Sequence, residues 1–197
     1  MKSKRVRVLL VAAASAGALT ACSPLHAGAA AIVGDQRITT GELNSGIEEY
    51  QQALISAKVS ADQLQVPSIP QGVLMQLIDI RQFGLLAERH GVTVTDGEID
   101  SARAQYQGGP GALDKMMLGR AVPPSQSRAW IRAQLSIQKV LKQEGAGNDQ
   151  ASLQQAQQKV LKELDTIEIK ISPRYGELSA QTGQLAAVER FGAADKS

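Results

Sequence analysis

Near the C-terminal end of the chain, Ile167, Ile169 and Ile171 alternate with Glu168 and Lys170, the two-residue period of a half-buried β-strand. This is the only clear strand pattern in the second half of the sequence, and no other segment constrains the fold as much. A single strand leaves its own backbone N–H and C=O groups unsatisfied, so it requires a partner. The candidate lies at the other end, where Ala31 to Val33 and Gln36 to Thr39 flank a Gly34-Asp35 turn signal and read as a small hairpin. Pairing Thr166–Ser172 with Ala31–Thr39 brings the two ends of the domain together. Everything between them has to close that loop as helices.

The helical reading is carried by apolar spacing. Thr39 stands three residues before Glu42, as a capping box requires, and Leu43, Ile47, Tyr50 and Leu54 then fall on one helical face. After the break at Pro67 and Pro70, a second helix runs to about His90. Its Val73, Leu74, Leu77, Ile78, Ile80, Leu85 and Leu86 cover more than one stripe, which marks it as the central, most buried helix. Thr95 and Glu98 repeat the Thr39–Glu42 spacing at the start of a third helix, which fades at Gly108 to Gly111. A short amphipathic piece follows from Ala112 to Leu118, ended by Gly119. Beyond Pro123 and Pro124 a long helix runs to about Glu144 with Trp130, Ala133, Ile137, Val140 and Leu141 on one side. A last helix spans Asp149 to Leu164, with Leu153, Ala156, Val160, Leu161 and Leu164 in register. The fold class is mainly α, multi-helical, with a small β-sheet made by the N- and C-terminal segments.

At 197 residues, 43% apolar, the chain can bury one core of ordinary size. Aromatic residues make up only 3%, too few for a stacking platform on single-stranded nucleic acid. The net charge of +2 is misleading, because Lys2, Lys4, Arg5 and Arg7 sit together at the N-terminus. Without residues 1 to 21, 17 basic groups face 19 acidic ones, so no electrostatic footprint for DNA or RNA is expected.

Those four cations are followed by Val8 to Ala21, fourteen apolar or small residues without a charge, the form of a secretory signal. The run is shorter than the roughly 20 residues a membrane-spanning helix needs. It ends in Leu19, Thr20, Ala21 and Cys22, which resembles the lipobox of bacterial lipoproteins. That resemblance implies cleavage before Cys22 and acylation of its sulfur. Cys22 is the single cysteine, so no internal disulfide can form, and a lipidated sulfur removes an otherwise exposed thiol from an exported protein. Residues 1–21 are then a signal peptide and residues 22–30 a tether. The domain itself occupies 31–176, and 177–197 form a flexible tail, low in large apolar groups. The expected location is the extracytoplasmic face of the cell membrane, held there by the lipid on Cys22.

Chemistry is sparse. The two histidines are His26, in the tether, and His90, at a helix end, where a dipole-compensating or surface role is expected. They form no cluster with metal-ligand spacing, so no metal and no cofactor are expected. The Gly108–Gly111 cluster lacks the Lys-Ser/Thr of a phosphate loop, and Glu48 and Glu49, adjacent on a helix, read as solvated charges. No catalytic residue is assigned.

The order of elements carries a resemblance. A hairpin leading into Leu43, a long buried helix followed by Gly91 to Thr95 and Glu98, a Pro-led amphipathic helix, and then Ile167 to Gly176 resemble the N-terminal chaperone domain of SurA/PrsA-type foldases. The Ser172-Pro173-Arg174-Tyr175-Gly176 segment resembles the ending seen in lipoproteins of this group. The resemblance implies a helical domain, completed by its terminal segments, that cradles unfolded or extended polypeptides of exported proteins. Only 25 residues follow Ser172 and no parvulin-like insertion separates the helices, so isomerase activity is not carried over. The alternative is an adaptor lipoprotein that holds one specific partner. For the peptide-binding surface the expected residues are Met75, Phe83, Met116, Met117 and Leu118, since unbranched Met adapts to varied ligands. Arg174 is expected to pair with a carboxylate, and Tyr175 to pack on the sheet.

Overall fold

The computed structural model describes residues 28–59, 68–178 and 185–186. Two strands, β1 (Ala29–Val33) and β2 (Gln36–Thr39), open the domain as an antiparallel hairpin. Gly34 turns it at φ +59°, a conformation that costs a glycine little. The C-terminal strand β3 (Ile169–Ile171) pairs antiparallel with β1, setting Ala31 opposite Ile171 and Val33 opposite Ile169. The sheet order is β2-β1-β3, so the first strand is central and the chain ends meet on it, as the alternating pattern requires. Two flanking bonds extend the closure: the Gly34 N–H donates to the Glu168 carbonyl at 2.8 Å and the Ser172 N–H to the Ala30 carbonyl at 2.9 Å.

Among the described residues six α-helices lie between: α1 (Thr40–Ala57), α2 (Ile69–Arg89), α3 (Asp96–Ala104), α4 (Gly109–Gly119), α5 (Ser127–Gln143) and α6 (Gln150–Leu164). The two Thr-x-x-Glu starts differ. At α3 the full box forms, Thr95 accepting from the Glu98 N–H while the Glu98 carboxylate accepts from the Thr95 N–H at 2.9 Å. At α1 Thr39 still accepts from the Glu42 N–H at 3.0 Å, but the Glu42 carboxylate turns to Arg81 of α2 at 2.8 Å. A charged partner on a neighbouring helix outbids a local amide.

Helix α2 is buried nearly all round because it divides two cores. Val73, Leu74, Leu77, Ile78 and Leu86 join Val33, Ile38, Leu43 and Tyr50 in one, beside the sheet and α1. Ile80 joins Ile99, Leu113, Met117, Trp130 and Ile131 in the other, formed by α3, α4 and α5. The Trp130 indole donates to Gln76 and His90 lies beside Glu144, so α2 and α5 run side by side in the same direction.

Three expectations change. Ala29 and Ala30, assigned to the tether, belong to β1, and Ala30 is fully buried. Within the expected tail, β4 (Glu177–Leu178) pairs with β5 (Leu185–Ala186), and Leu185 reaches the first core, which offsets the cost of ordering it. On α6 only Ala156 and Val160 are buried; Leu153 and Leu161 are 36% and 58% exposed, because this edge helix meets its neighbours along a narrow stripe. The signal-peptide and tether residues up to 27 lie outside the described residues.

Candidate functional site

A groove of about 410 Å³ runs between α3, α4 and α5. Its apolar wall is built from Ala102, Tyr106, Leu113, Met116, Trp130, Ile131 and Leu135, and its polar groups are the amides of Gln105, Gln107, Gln134 and Gln138. Among the described residues, no charged side chain lines it. Several nearby charges are engaged with one another: Arg103 grips both carboxylate oxygens of Asp114 at 2.8 Å, Arg132 meets Asp96 at 2.8 Å, and Lys139 meets Glu98 at 2.6 Å. These pairs tie α3 to α4 and α5, the three elements that form the groove.

Local sequence sets the shape. Gly108 stands at φ +87°, and a Cβ there would come within 2.8 Å of the Ala112 Cβ. Only glycine lets the chain fold back from α3 into α4 at this angle. Trp130, 8% exposed, is held by its indole bond to Gln76 at 3.1 Å, so the aromatic wall is fixed from behind by α2. A second, more polar groove of about 390 Å³ lies against α2 and α5 and carries Arg81, Glu88 and Arg132.

Of the five residues expected to bind peptide, only Met116 lines the uncharged groove. Phe83 packs against the same core from α2. Met117 is buried within it, 3% exposed. Leu118 packs on the other core and, with Met117, lines a separate 270 Å³ pocket. Met75 also packs on that first core. The five therefore do not share a surface, because consecutive helical residues point in different directions. Tyr106, Trp130, Leu135 and the four glutamines complete the groove instead. Their signal is a second stripe on α5, in which Ile131, Gln134, Leu135 and Gln138 recur at helical spacing beside the core stripe.

Other expected residues also find places. Tyr175 packs on the first core, whereas Arg174 is exposed and has no carboxylate partner among the described residues. Glu48 is exposed as expected, but Glu49 is no free charge: it accepts from the Ser125 N–H at 2.6 Å and from the Ser125 hydroxyl. Cys22 and His26 lie outside the described residues. His90 is drawn in, its Nε2 2.7 Å from Glu163 Oε2 and its Nδ1 3.9 Å from Glu144 Oε1. Sequence spacing alone leaves this histidine isolated; the fold gives it two carboxylates. Asp79, on α2, has no hydrogen bond or ion pair among the described residues, and burial pushes its carboxyl up to about 6.

A family model described as the SurA-like N-terminal domain matches residues 5–141, a span that includes α1 to α4, all but the last two residues of α5, and every described residue lining the groove. No curated protein and no solved structure matches the chain.

Proposed function

The chain belongs to the family of SurA-like N-terminal domains, a chaperone-type family, and from that premise we propose that it holds extended apolar segments of unfolded exported polypeptides in the α3–α4–α5 groove. The observation that carries this reading is the composition of the groove, apolar on its walls, with four amide side chains and no charged one among the described residues that line it. An extended polypeptide offers apolar side chains and unpaired N–H and C=O groups. Glutamine amides both donate and accept, so they can satisfy any backbone without reading its sequence. The apolar wall contributes about 25 cal/mol per Å² buried, and ordering the client subtracts from that sum. Binding of this kind is weak, exchangeable and broad in specificity.

In this reading the domain acts by holding clients and catalyses no prolyl isomerisation. Acylation of Cys22 keeps it at the extracytoplasmic face of the membrane, where exported chains emerge unfolded. Two acyl chains, at about 0.8 kcal/mol per buried CH₂, suffice for a stable anchor.

The test is light scattering of a denatured client, with and without the protein, beside a proline-limited refolding assay. The expected result is suppressed aggregation and an unchanged refolding rate. Met116→Lys, which places a charge in the groove, removes the suppression while the far-UV circular dichroism stays native. No suppression at stoichiometric excess overturns the reading and favours an adaptor with one partner. Faster refolding reveals catalysis.

A further inference from the structure

We infer that His90, Glu144 and Glu163 form a site for a divalent transition-metal ion of the zinc class. One nitrogen of His90 and one carboxylate oxygen of each glutamate all lie within 4.8 Å of one another, and all three side chains are half-buried. The residues come from three separate elements. His90 caps the C-terminus of α2, Glu144 caps that of α5, and Glu163 stands one residue from the end of α6.

That placement is the second observation. Helix C-termini carry partial negative charge and favour cations; three of them converge here, each with one basic residue in its last turn (Arg89, Lys142, Lys162), and Glu144 and Glu163 add two carboxylates. Lys159 meets one of these, its Nζ 3.4 Å from Glu144 Oε2 and 3.1 Å from the Glu144 carbonyl oxygen. Among the described residues, the Glu163 carboxylate is met by His90 alone. A dication between the three ligands compensates both carboxylates and the helix ends at once.

The donor set has the right chemistry. Imidazole nitrogen and carboxylate oxygen suit zinc, and three protein ligands leave a fourth position for water. Ligands about 2.0–2.1 Å from a tetrahedral ion stand about 3.3 Å apart, and the single donor atoms offered by the three residues lie within 4.8 Å of one another, so side-chain shifts of about an ångström bring them to that geometry. An ion here would pin α6, which leads into β3, to the ends of α2 and α5. The inference does not depend on the proposed chaperone role, and either can fail without the other.

The experiment titrates the full chain with Zn²⁺ alone, by calorimetry at pH 7, and follows thermal unfolding. One ion should bind per chain, and at a hundredfold excess over Kd the melting temperature should rise by roughly 5–10 °C. Glu163→Gln and His90→Gln should each weaken binding by more than about a hundredfold, beyond the roughly 10–100-fold typical of residues that merely orient ligands. Lys159→Met, which removes the competing cation, should strengthen it. His26→Gln, outside the described residues, should leave it unchanged. Absent binding, binding that survives Glu163→Gln in a natively folded protein, or binding lost with His26→Gln overturns the assignment.

Discussion

The Tyr50 hydroxyl on α1 donates a hydrogen bond to the backbone carbonyl of Leu118 in the last turn of α4, 68 residues further along the chain. Tyr50 is fully buried in the first core, while Met117, beside Leu118, is buried in the second. This one bond therefore ties the two halves of the molecule and fixes the helix that carries Met116. Tyr50→Phe keeps the ring and removes this bond, leaving the Leu118 carbonyl with the Ala121 N–H as its donor, at a cost of about 1 kcal/mol. Urea unfolding should show a lower midpoint with an unchanged slope. A changed slope means that α4 has come loose before global unfolding.

On α6 adjacent residues should behave in opposite ways. Val160 is 4% exposed and Leu161 58% exposed. Val160→Ala should cost about 2 kcal/mol through the cavity it leaves, whereas Leu161→Lys should change stability by less than about 0.5 kcal/mol. Thermal denaturation of the two variants measures the contrast directly. Equal losses would show that Leu161 is covered in solution.

This contrast also marks how far the sequence could be read. Period and capping locate the helices and the closing strand, because Ile167, Ile169 and Ile171, or Thr95 and Glu98, act over a few residues. The all-round burial of α2 is visible in its excess of apolar positions. Periodicity assigns one buried face per helix, and α5 presents a second, partly exposed one: Trp130, Ala133 and Val140 serve the cores while Gln134, Leu135 and Gln138 line the groove. Long-range polar partners leave no local trace. Glu49 with Ser125 and His90 with Glu163 are separated by 76 and 73 residues, so neither could be seen before the helices were placed. Of Met116, Met117 and Leu118 only Met116 lines the groove, because consecutive helical residues are turned by about 100° from one another.

The anchoring of the domain is tested by Cys22→Ser. The variant should lose its partition into the membrane fraction, and mass spectrometry of the unaltered protein should find acyl mass on Cys22 with residues 1–21 gone. Normal membrane partition of Cys22→Ser refutes the lipid anchor.

Charge placed among the groove amides should make client holding depend on pH. Gln134 and Gln138 lie one turn apart on α5, and converting both to Glu sets two carboxylates beside the apolar wall. An apolar client then meets groups that resist desolvation. Suppression of aggregation should fall several-fold at pH 7 and recover toward pH 4, as carboxyls of ordinary pKa near 4.3 take up protons. A variant as effective as the parent at pH 7 would place the binding surface elsewhere.

Asp79 supplies a pH dependence of stability with a definite sign. Its carboxyl is raised to about 6 by burial, with no compensating charge or hydrogen bond among the described residues. The folded state therefore holds this proton more tightly than the unfolded chain, whose carboxyl titrates near 3.8. Between those two values the folded state binds more protons, so stability falls as the pH rises from about 4 to 6 and then levels off. A shift of this size corresponds to at most about 3 kcal/mol, and partial solvent access lowers it to roughly 1–2 kcal/mol. Asp79→Asn removes the charge and keeps the shape, so it should stabilise the protein by that amount at pH 7 and by almost nothing below pH 4. Glu98 titrates in another window. Lys139 and the Thr95 cap lower it to about 2, so its contribution is present above the ordinary carboxyl range and is lost only as the pH falls toward that value. The difference in urea midpoint between Asp79→Asn and the parent, followed from pH 3.5 to 7.5, isolates the one group. A difference that does not vary with pH would mean that Asp79 is ionised and solvated in the folded state.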